Sequence, residues 1–178
     1  PADRLAGLAR LVRAFHQGTG RPVSLTACLS GAEALANLLD QAALEGGVDW
    51  SLLKTFVPEG DFAAHWNEAA SFLSIATQAW PAHLKERGLI DPMERRELMI
   101  RRLAQRWEDA PPDHPVVLAG STGAQPSVRA LMAVVANLPK GCVVLPGLDQ
   151  DLDESALGAL ASSPSHPQSA LVRSCEAL

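Results

Sequence analysis

Apolar residues recur every three or four positions from residue 1 to about residue 110, which predicts a series of amphipathic helices. The first is predicted over residues 1 to 17, and the positions of its buried face are Leu5, Leu8, Val12 and Phe15. The second is predicted over residues 26 to 45, with an inner stripe of Leu35, Leu38 and Ala42. Gly46 and Gly47 are expected to end it, because glycine commonly follows the last turn of a helix.

A third, long helix is predicted after a loop that holds Trp50, Leu53, Phe56 and Pro58. Asp61 is its expected N-cap. Its apolar positions are Phe62, Trp66, Ala69, Leu73, Ala76 and Trp80. Pro81 is expected to end or kink this helix, because its ring clashes with the carbonyl of Thr77 and it has no N–H to donate. Gly88 closes the segment.

The next helix has the clearest start in the chain. Asp91 is the expected cap, Pro92 takes the first helical position, and Glu94 is placed to complete a capping box. Its predicted apolar face consists of Met93, Met99, Ile100, Leu103 and Trp107. The sequence APPDHP at residues 110 to 115 then breaks the helical pattern. It sets the predicted boundary between a helical region, residues 1–110, and an α/β region, residues 111–178.

The pattern becomes strand-like at Val116. The runs VVLAG and CVVLPG are short, β-branched and bounded by Gly or Pro, as in strands that are buried on both faces. Residues 126 to 137 between them have helical period, with Val128, Leu131, Val135 and Leu138 in phase. This order predicts two parallel strands joined by a helical crossover. Because two strands rarely form a stable sheet, more strands are expected from outside the chain or from the segment near Val23.

The residues after the second strand predict an acidic loop, a short helix, a Pro/Ser turn and the start of another helix. We expect the acidic residues 149–154 to be solvated, because they lack the glycine and glutamate positions of a calcium loop. Cys28, Cys142 and Cys175 form neither a CxxC pair nor a disulfide framework, which favours a reducing cytoplasm. Cys142 is expected to be a small buried side chain.

Composition and charge limit the function classes. The 178 residues are 47% hydrophobic and 20% charged, enough for a buried core. No apolar run reaches the roughly 18 residues of a membrane span, so no membrane partner is expected. The net charge of -5 disfavours autonomous DNA or RNA binding, because that affinity comes from Lys and Arg neutralising phosphates. The chain begins without Met, in a helix-like segment and without a signal peptide, so we expect a piece of a larger protein.

The turn after the first strand is the most informative position for chemistry. In a P-loop ATPase such a strand ends in acidic residues that hold Mg²⁺ and orient the attacking water. Here the strand is followed by Gly120, Ser121, Thr122 and Gly123, and no GxxxxGKS or GxxxxGKT loop occurs. The sequence therefore predicts a nucleotide-hydrolase architecture without its hydrolytic chemistry.

Two alternatives for this turn stay open. Free backbone N–H groups at a helix N-terminus bind anions, so the Gly120–Gly123 loop is a candidate phosphate site of a small α/β binding protein or enzyme. In the other interpretation the two glycines only permit a tight turn, and Ser121 or Thr122 caps the following helix. No catalytic residue is assigned, because GSTG is not the GxSxG nucleophile elbow.

Three arginines of the predicted helix at residues 91–107 are candidate DNA contacts. Arg95, Arg102 and Arg106 lie in one narrow band opposite the apolar face and could follow a phosphate backbone. The alternative is an ordinary solvated helix, because an adjacent face offers i, i+4 pairs. The residues of that face are Glu94, Glu97, Arg101 and Glu108.

Three tryptophans have helical spacing that faces inward, which is more typical of a core than of a base-stacking platform. They are Trp66, Trp80 and Trp107.

Three segments resemble the AddB subunits of bacterial AddAB helicase–nucleases, which repair DNA double-strand breaks. They are ERGLIDPMERRELMIRRLAQRW, PVVLAGSTGAQPSVRALMAVVANLPKGCVVLPGLDQDLDE and PSHPQSAL. The resemblance is to the alphaproteobacterial type and covers most of residues 70 to 170. It implies an accessory helical domain followed by part of the RecA-like core of a superfamily I helicase that has lost its ATPase motifs. Gly120–Gly123 would stand at its degenerate acidic motif.

The resemblance also implies partners and a setting. AddB subunits work with an AddA-type motor subunit and meet DNA in the full complex. They carry an iron–sulfur nuclease domain, which is expected beyond Leu178, so no cofactor and no metal ligand are expected in these residues. We therefore expect a non-catalytic, cytoplasmic, helicase-like portion of a repair subunit that contributes to assembly and DNA handling.

Overall fold

The computed structural model describes residues 2–54, 62–147, 149, 151–163, 166 and 168–178. These residues are mostly helical and include a small parallel sheet, a mixed α/β composition. The elements are α1 (Ala2–Gly18), α2 (Leu25–Leu44), α3 (Phe62–Ser74), α4 (Trp80–Glu86), α5 (Pro92–Asp109), β1 (Val116–Ala119), α6 (Pro126–Asn137), β2 (Gly141–Val144), α7 (Glu154–Ala161) and α8 (Ser169–Ala177). A 3₁₀ turn at Trp50–Lys54 precedes α3, and a π turn at Ile75–Ala79 joins α3 to α4.

The chain forms two compact units. The first, the helical unit, consists of Pro1–Ala43 and Gly47–Arg95, and the second, the α/β unit, of Leu44–Gly46 and Arg96–Leu178. The boundary between the two units therefore lies inside α5, between Arg95 and Arg96, whereas the sequence predicts a boundary after this helix, at the proline-rich segment.

The helical unit has one apolar core, built mainly from α1, α2 and the residues around the π turn. All four apolar positions predicted on α1 contribute to it. On α2, steps of four and three residues from Cys28 lead to Ala32, Leu35 and Leu39, which all contact the core. Leu38 was expected in this stripe, but it lies outside the core cluster, because Leu39 continues the spacing. The glycine end of α2 is confirmed by a hydrogen bond of 2.9 Å from the N–H of Gly47 to the carbonyl of Ala42.

Pro81 does not end the helix. The N–H of Trp80 donates to the carbonyl of Ile75, five residues earlier, which forms a π turn just before the proline. Pro81 then falls in the first turn of α4, where a missing N–H costs no hydrogen bond. The extra residue of the π turn therefore accommodates the proline within a continuous helical segment.

Two other predictions for this segment have different outcomes. Ala69 is exposed instead of inward-facing, and the core is reached by Phe72, Ile75 and Ala76. The predicted cap Asp61 and the loop residues Phe56 and Pro58 lie outside the described residues. Gly88 follows the end of α4 as expected, and the N–H of Leu89 donates to the carbonyl of Leu84 at 2.9 Å.

Asp91 begins α5 at the centre of a buried polar network. Its Oδ1 accepts the N–H of Met93 at 3.1 Å, which confirms the predicted N-cap. Its Oδ2 accepts hydrogen bonds from Nε of Arg4 at 2.8 Å and from Nε1 of Trp80 at 3.0 Å. Arg4 also pairs with Asp40 at 2.8 Å. Although Asp91 is only 6% exposed, both of its carboxylate oxygens are therefore satisfied.

The α/β unit contains the predicted strand–helix–strand arrangement. β1 and β2 are parallel, with Val116 opposite Gly141 and Ala119 opposite Val144. α6 contacts both strands. Gly141 starts β2 so close to α6 that a Cβ at this position would overlap the carbonyl oxygen of Val135. Glycine at this position therefore allows the strand to begin directly after the helix.

The prediction that both faces of these strands are buried is wrong. Val116, Leu118 and Val143 contact the core cluster formed by α5 and α6. The other face is open, with Val117 63% and Val144 50% exposed, and Cys142 is also exposed. The apolar runs were typical of a sheet with two covered faces, but the described residues provide a cover for one face only.

The apolar face of α5 was predicted correctly except at Met99. Met99 is 57% exposed, because it follows Arg95 by one helical turn and so lies beside the arginine band. Ala104 is buried against α6 and the sheet, and Trp107 packs beside it. Glu97, expected on a solvated face, is buried because it lies one turn after Met93 in the inner stripe.

The two helices predicted after the second strand are present as α7 and α8. Asp153 caps α7, with its Oδ1 accepting the N–H of Ala156 at 2.7 Å. Three residues of the Pro/Ser turn, 164, 165 and 167, lie outside the described residues. Val23 packs against the helical core and is not part of a strand, so this segment adds nothing to the sheet.

Candidate functional site at the Gly120–Gly123 loop

The Gly120–Gly123 loop follows β1 and leads towards α6, as predicted. Gly120 and Gly123 have positive φ angles of 77° and 66°, a backbone region that favours glycine. The N–H of Gly120 donates to the carbonyl of Val144 at 3.0 Å and continues the sheet pairing. A Cβ on Gly123 would overlap Oγ of Ser174 on α8. Both glycines are therefore required by the turn, and the second also by close packing.

Several polar groups of the loop form hydrogen bonds within the chain. Oγ of Ser121 accepts the N–H of Gly123 at 3.2 Å. Oγ of Ser174 donates to the carbonyl of Thr122 at 2.9 Å, and Nη1 of Arg129 donates to the carbonyl of Gly123 at 3.2 Å. These bonds hold the loop against α6 and α8.

The expectation that Ser121 or Thr122 caps α6 is wrong. The N-cap is Gln125, in an extended conformation and without a side-chain capping bond, and Pro126 follows it at the start of the helix. The reason is the length of the loop, which places Ser121 four residues before the cap. Its hydroxyl therefore stabilises the loop instead of the helix.

Residues 116–125 contain no Asp or Glu, so β1 ends without a carboxylate that could hold Mg²⁺. In the described part of the chain, no group of three or more His, Cys, Asp and Glu side chains could hold a metal ion. The hydroxyls of Ser121 and Thr122 carry no charge near neutral pH, so they do not replace an acidic pair.

Glu97 is a carboxylate near this loop that the sequence analysis missed. Nη1 of Arg96 donates to Oε1 of Glu97 at 2.5 Å, and both Nη atoms of Arg96 donate to Oε1 of Gln125 at 3.1 Å. Arg96 thereby connects Glu97 to the cap of α6. Glu97 is 3% exposed, and its Oε2 has no hydrogen-bond partner among the described residues.

A second buried polar group lies on the first turn of α6. Oγ of Ser127 has no hydrogen-bond partner among the residues that the structure describes. One feature of the sequence could have predicted the burial of Glu97: it lies in the apolar stripe of α5, four residues after Met93 and three before Ile100. No comparable signal marked Ser127, because serine is common in the first turn of helices.

The three predicted DNA-contact arginines are all exposed. The guanidinium groups of Arg95, Arg102 and Arg106 form no hydrogen bond or ion pair with any described residue. Other arginines of α5 are occupied, since Arg96 binds Glu97, and Arg101 donates to the carbonyl of Gly46 at 3.3 Å. The i, i+4 pairing expected for the solvated face therefore does not involve Glu97.

The three predicted core tryptophans differ in their surroundings. Trp80 is buried and donates to Asp91, and Trp107 packs against the sheet core, as predicted for both. Trp66 is partly exposed and lines an open cleft of about 610 Å³ together with Trp50.

Ser51, which also lines this cleft, donates hydrogen bonds to Asp49 from its side chain and its backbone N–H. These bonds lower the pKa of Asp49 below its ordinary value.

Comparisons with protein-family models, with curated proteins and with solved structures found no match to this chain. Among the described helices, none is both long and apolar enough to cross a membrane.

Proposed function

We propose that this chain is a non-catalytic, helicase-like portion of an AddB-type subunit, in which it supports subunit assembly and DNA handling during double-strand-break repair. One observation supports the proposal: two parallel strands are joined by a helical crossover, an arrangement that nucleotide hydrolases also contain, and the loop after β1 has no carboxylate. In this proposal the unit belongs to a RecA-like core, and α1–α4 belong to its accessory domain.

The loss of hydrolysis follows from the chemistry of the loop. Phosphoryl transfer in P-loop enzymes requires a carboxylate near Mg²⁺ and a phosphate-binding lysine loop. Ser121 uses its oxygen to accept the N–H of Gly123, and the carbonyls of Thr122 and Gly123 are also occupied. We expect the chain to hydrolyse no ATP and to rely on an AddA-type motor subunit.

Assembly is supported by the open face of the sheet. Parallel sheets usually have both faces covered, yet Val117 and Val144 are exposed here. We propose that other parts of a larger AddB-type protein or the motor subunit cover this face. The proposed setting is the cytoplasm, with no cofactor held by these residues and no membrane partner.

DNA handling is supported by the free guanidinium groups of Arg95, Arg102 and Arg106. The net charge of -5 opposes binding by the isolated chain, so this contact is proposed for the full complex only. Each phosphate contact that is lost should reduce the salt slope of DNA affinity by about 0.9.

The test compares the full complex carrying Arg95, Arg102 and Arg106 all changed to Gln with a charge-matched control. The control changes Arg10, Arg13 and Arg87, which are also exposed and unpaired among the described residues. We expect the α5 variant to lose DNA affinity and salt dependence, measured by fluorescence anisotropy, and the control to retain both. Equal losses in the two variants would reject the α5 contact, and failure to co-purify with an AddA-type subunit would reject the assembly role.

The alternative, a phosphate-ligand protein that uses the Gly120–Gly123 loop, makes the opposite prediction. Chemical shifts of Gly120 and Gly123 should then move when inorganic phosphate or a nucleotide is added. We expect no saturable shift, because the N–H groups of Gly120 and Gly123 already donate to the carbonyl of Val144 and to Oγ of Ser121.

A further inference from the structure

Two tryptophans of the helical unit border one open cleft. Trp50 comes from the 3₁₀ turn and Trp66 from α3, and the cleft between these elements measures about 610 Å³. This volume lies within the range of roughly 300–1,000 Å³ typical of small-molecule sites. Neither indole N–H has a hydrogen-bond partner among the described residues. Each ring therefore offers a π face and a free donor.

The other described residues that line the cleft are uncharged, and some of them, such as Leu53 and Ala70, are apolar. Hydroxyl and amide side chains line it beside the tryptophans, among them Asn67, Ser71, Ser74 and Gln78. No charged side chain is among the described residues that line it, although 20% of the chain is charged. Aromatic rings together with neutral hydroxyl and amide groups suit a flat, neutral ligand with donors and acceptors on its edge.

We infer that this cleft binds a nucleobase of single-stranded nucleic acid, stacked on Trp66 or Trp50. Every base has a π face, and stacking on an aromatic side chain is tolerant of sequence. Asn67 and Gln78 each provide a donor and an acceptor for the edge of the base. The inference rests on the proposed function and deepens it, because it names single-stranded nucleic acid as the ligand of the helical unit.

An adjacent hollow provides a place for the phosphate backbone. It measures about 440 Å³ and shares Asn67 and Ser71 with the cleft. Arg21 and Glu68 line it and form an exposed ion pair. Such a pair adds little stability, so Arg21 can exchange Glu68 for a phosphate at small cost. His16 lies in the same hollow.

The test titrates the full chain with short, fluorescein-labelled oligothymidylate and follows anisotropy together with the amide shifts of Asn67 and Ser71. The titration is done at low ionic strength, where Arg21 interacts most strongly with a phosphate, because the net charge of -5 makes binding by the isolated chain weak. Trp66→Ala should weaken binding roughly 5- to 150-fold, the range for losing one stacked base. Trp66→Phe should retain most of the affinity, because it keeps an aromatic face. Met99→Ala, which removes an exposed apolar side chain outside the helical unit, is the control and should change nothing.

The backbone contact has its own variants. Arg21→Gln should weaken binding and reduce the salt slope by about 1, and Glu68→Gln should strengthen binding, because it removes the competing carboxylate. Absence of binding at millimolar oligonucleotide, or equal affinity of the native chain and Trp66→Ala, would overturn the inference. Displacement of the oligonucleotide by a neutral oligosaccharide would replace it with a carbohydrate site.

Failure of the inference and failure of the proposed function can be distinguished by co-purification. If Trp66→Ala assembles with the AddA-type subunit and loses no single-strand affinity, the base site is rejected and the proposed function stands. If the native chain fails to assemble but binds oligothymidylate through Trp66, the proposed function is rejected and the base site stands.

Discussion

Each of the two units contains a buried carboxylate, and the two carboxylates differ in how completely they are hydrogen-bonded. In the helical unit, Asp91 receives hydrogen bonds from Arg4, Trp80 and the N–H of Met93. In the α/β unit, Glu97 receives one from Arg96, and its second oxygen has no partner among the described residues. A satisfied buried charge connects elements to one another, whereas a half-satisfied one is a cost that the fold tolerates.

The cores of the two units also differ in how they are covered. The core of the helical unit is covered on several sides by its own helices, with Leu8 and Leu35 fully buried. The sheet of the α/β unit buries one face and leaves Val117 and Val144 exposed. The helical unit therefore covers its core with its own helices, while the sheet of the α/β unit leaves apolar side chains that a larger assembly could cover.

The largest expected effect comes from removing the satisfied carboxylate. Asp91→Leu should reduce the free energy of unfolding by about 3–5 kcal/mol, because it leaves the Trp80 N–H unpaired and removes one of the two carboxylates that pair with Arg4. Chemical denaturation followed by circular dichroism measures the loss. Asp151→Leu, at an exposed position, is the control and should stay within about 0.5 kcal/mol of the native chain. A similar small change in both variants would show that the network is not stabilising.

Replacement of Glu97 should not reduce the free energy of unfolding, in contrast to replacement of Asp91. Glu97→Met, of similar volume, should leave stability unchanged or raise it by about 1 kcal/mol, because a desolvated oxygen without a partner is removed. Arg96 keeps its bonds to Gln125 and part of its exposure to solvent. The same denaturation experiment decides the sign. A loss above about 2 kcal/mol would mean that Oε2 has a hydrogen-bond partner in solution.

The two faces of the sheet give a smaller contrast. Val143→Thr should cost about 1–3 kcal/mol, because its hydroxyl would enter the core without a partner. Val117→Thr, at the exposed position of β1, should change stability by less than about 0.5 kcal/mol. Thermal unfolding of the two single variants measures the difference. Equal costs at both positions would show that the outer face is covered in solution.

The smallest expected effect is at Asp49, beside the tryptophan cleft. Because hydrogen bonds from Ser51 lower its folded pKa, its contribution to stability is present above the unfolded pKa and is lost as pH falls through the folded pKa. Carboxyl NMR titration should give a midpoint below the ordinary aspartate value of about 3.9. Ser51→Ala should raise it towards that value, and an unchanged midpoint in this variant would reject the stated cause.

Periodicity and local chemistry were enough to predict most elements. Helix limits follow from apolar spacing and from caps such as Asp91 and Gly47, whose effect acts within a few residues. The strand–helix–strand order follows from two β-branched runs around a helical segment, and the glycine turn at Gly120 and Gly123 follows from composition. These features depend on neighbours in sequence, so the sequence alone determined them.

Tertiary structure decided the features that depend on distant residues. Whether a strand face is covered depends on what packs over it, and the burial of Glu97 depends on what packs against its side of α5. The same holds for the packing of the glycine loop, because Ser174, which donates to the carbonyl of Thr122, comes from α8, far along the chain. The open cleft at Trp66 likewise needs Trp50 from another element. Spacing along one helix shows which residues share a face, but the partner of that face is set only when the chain packs.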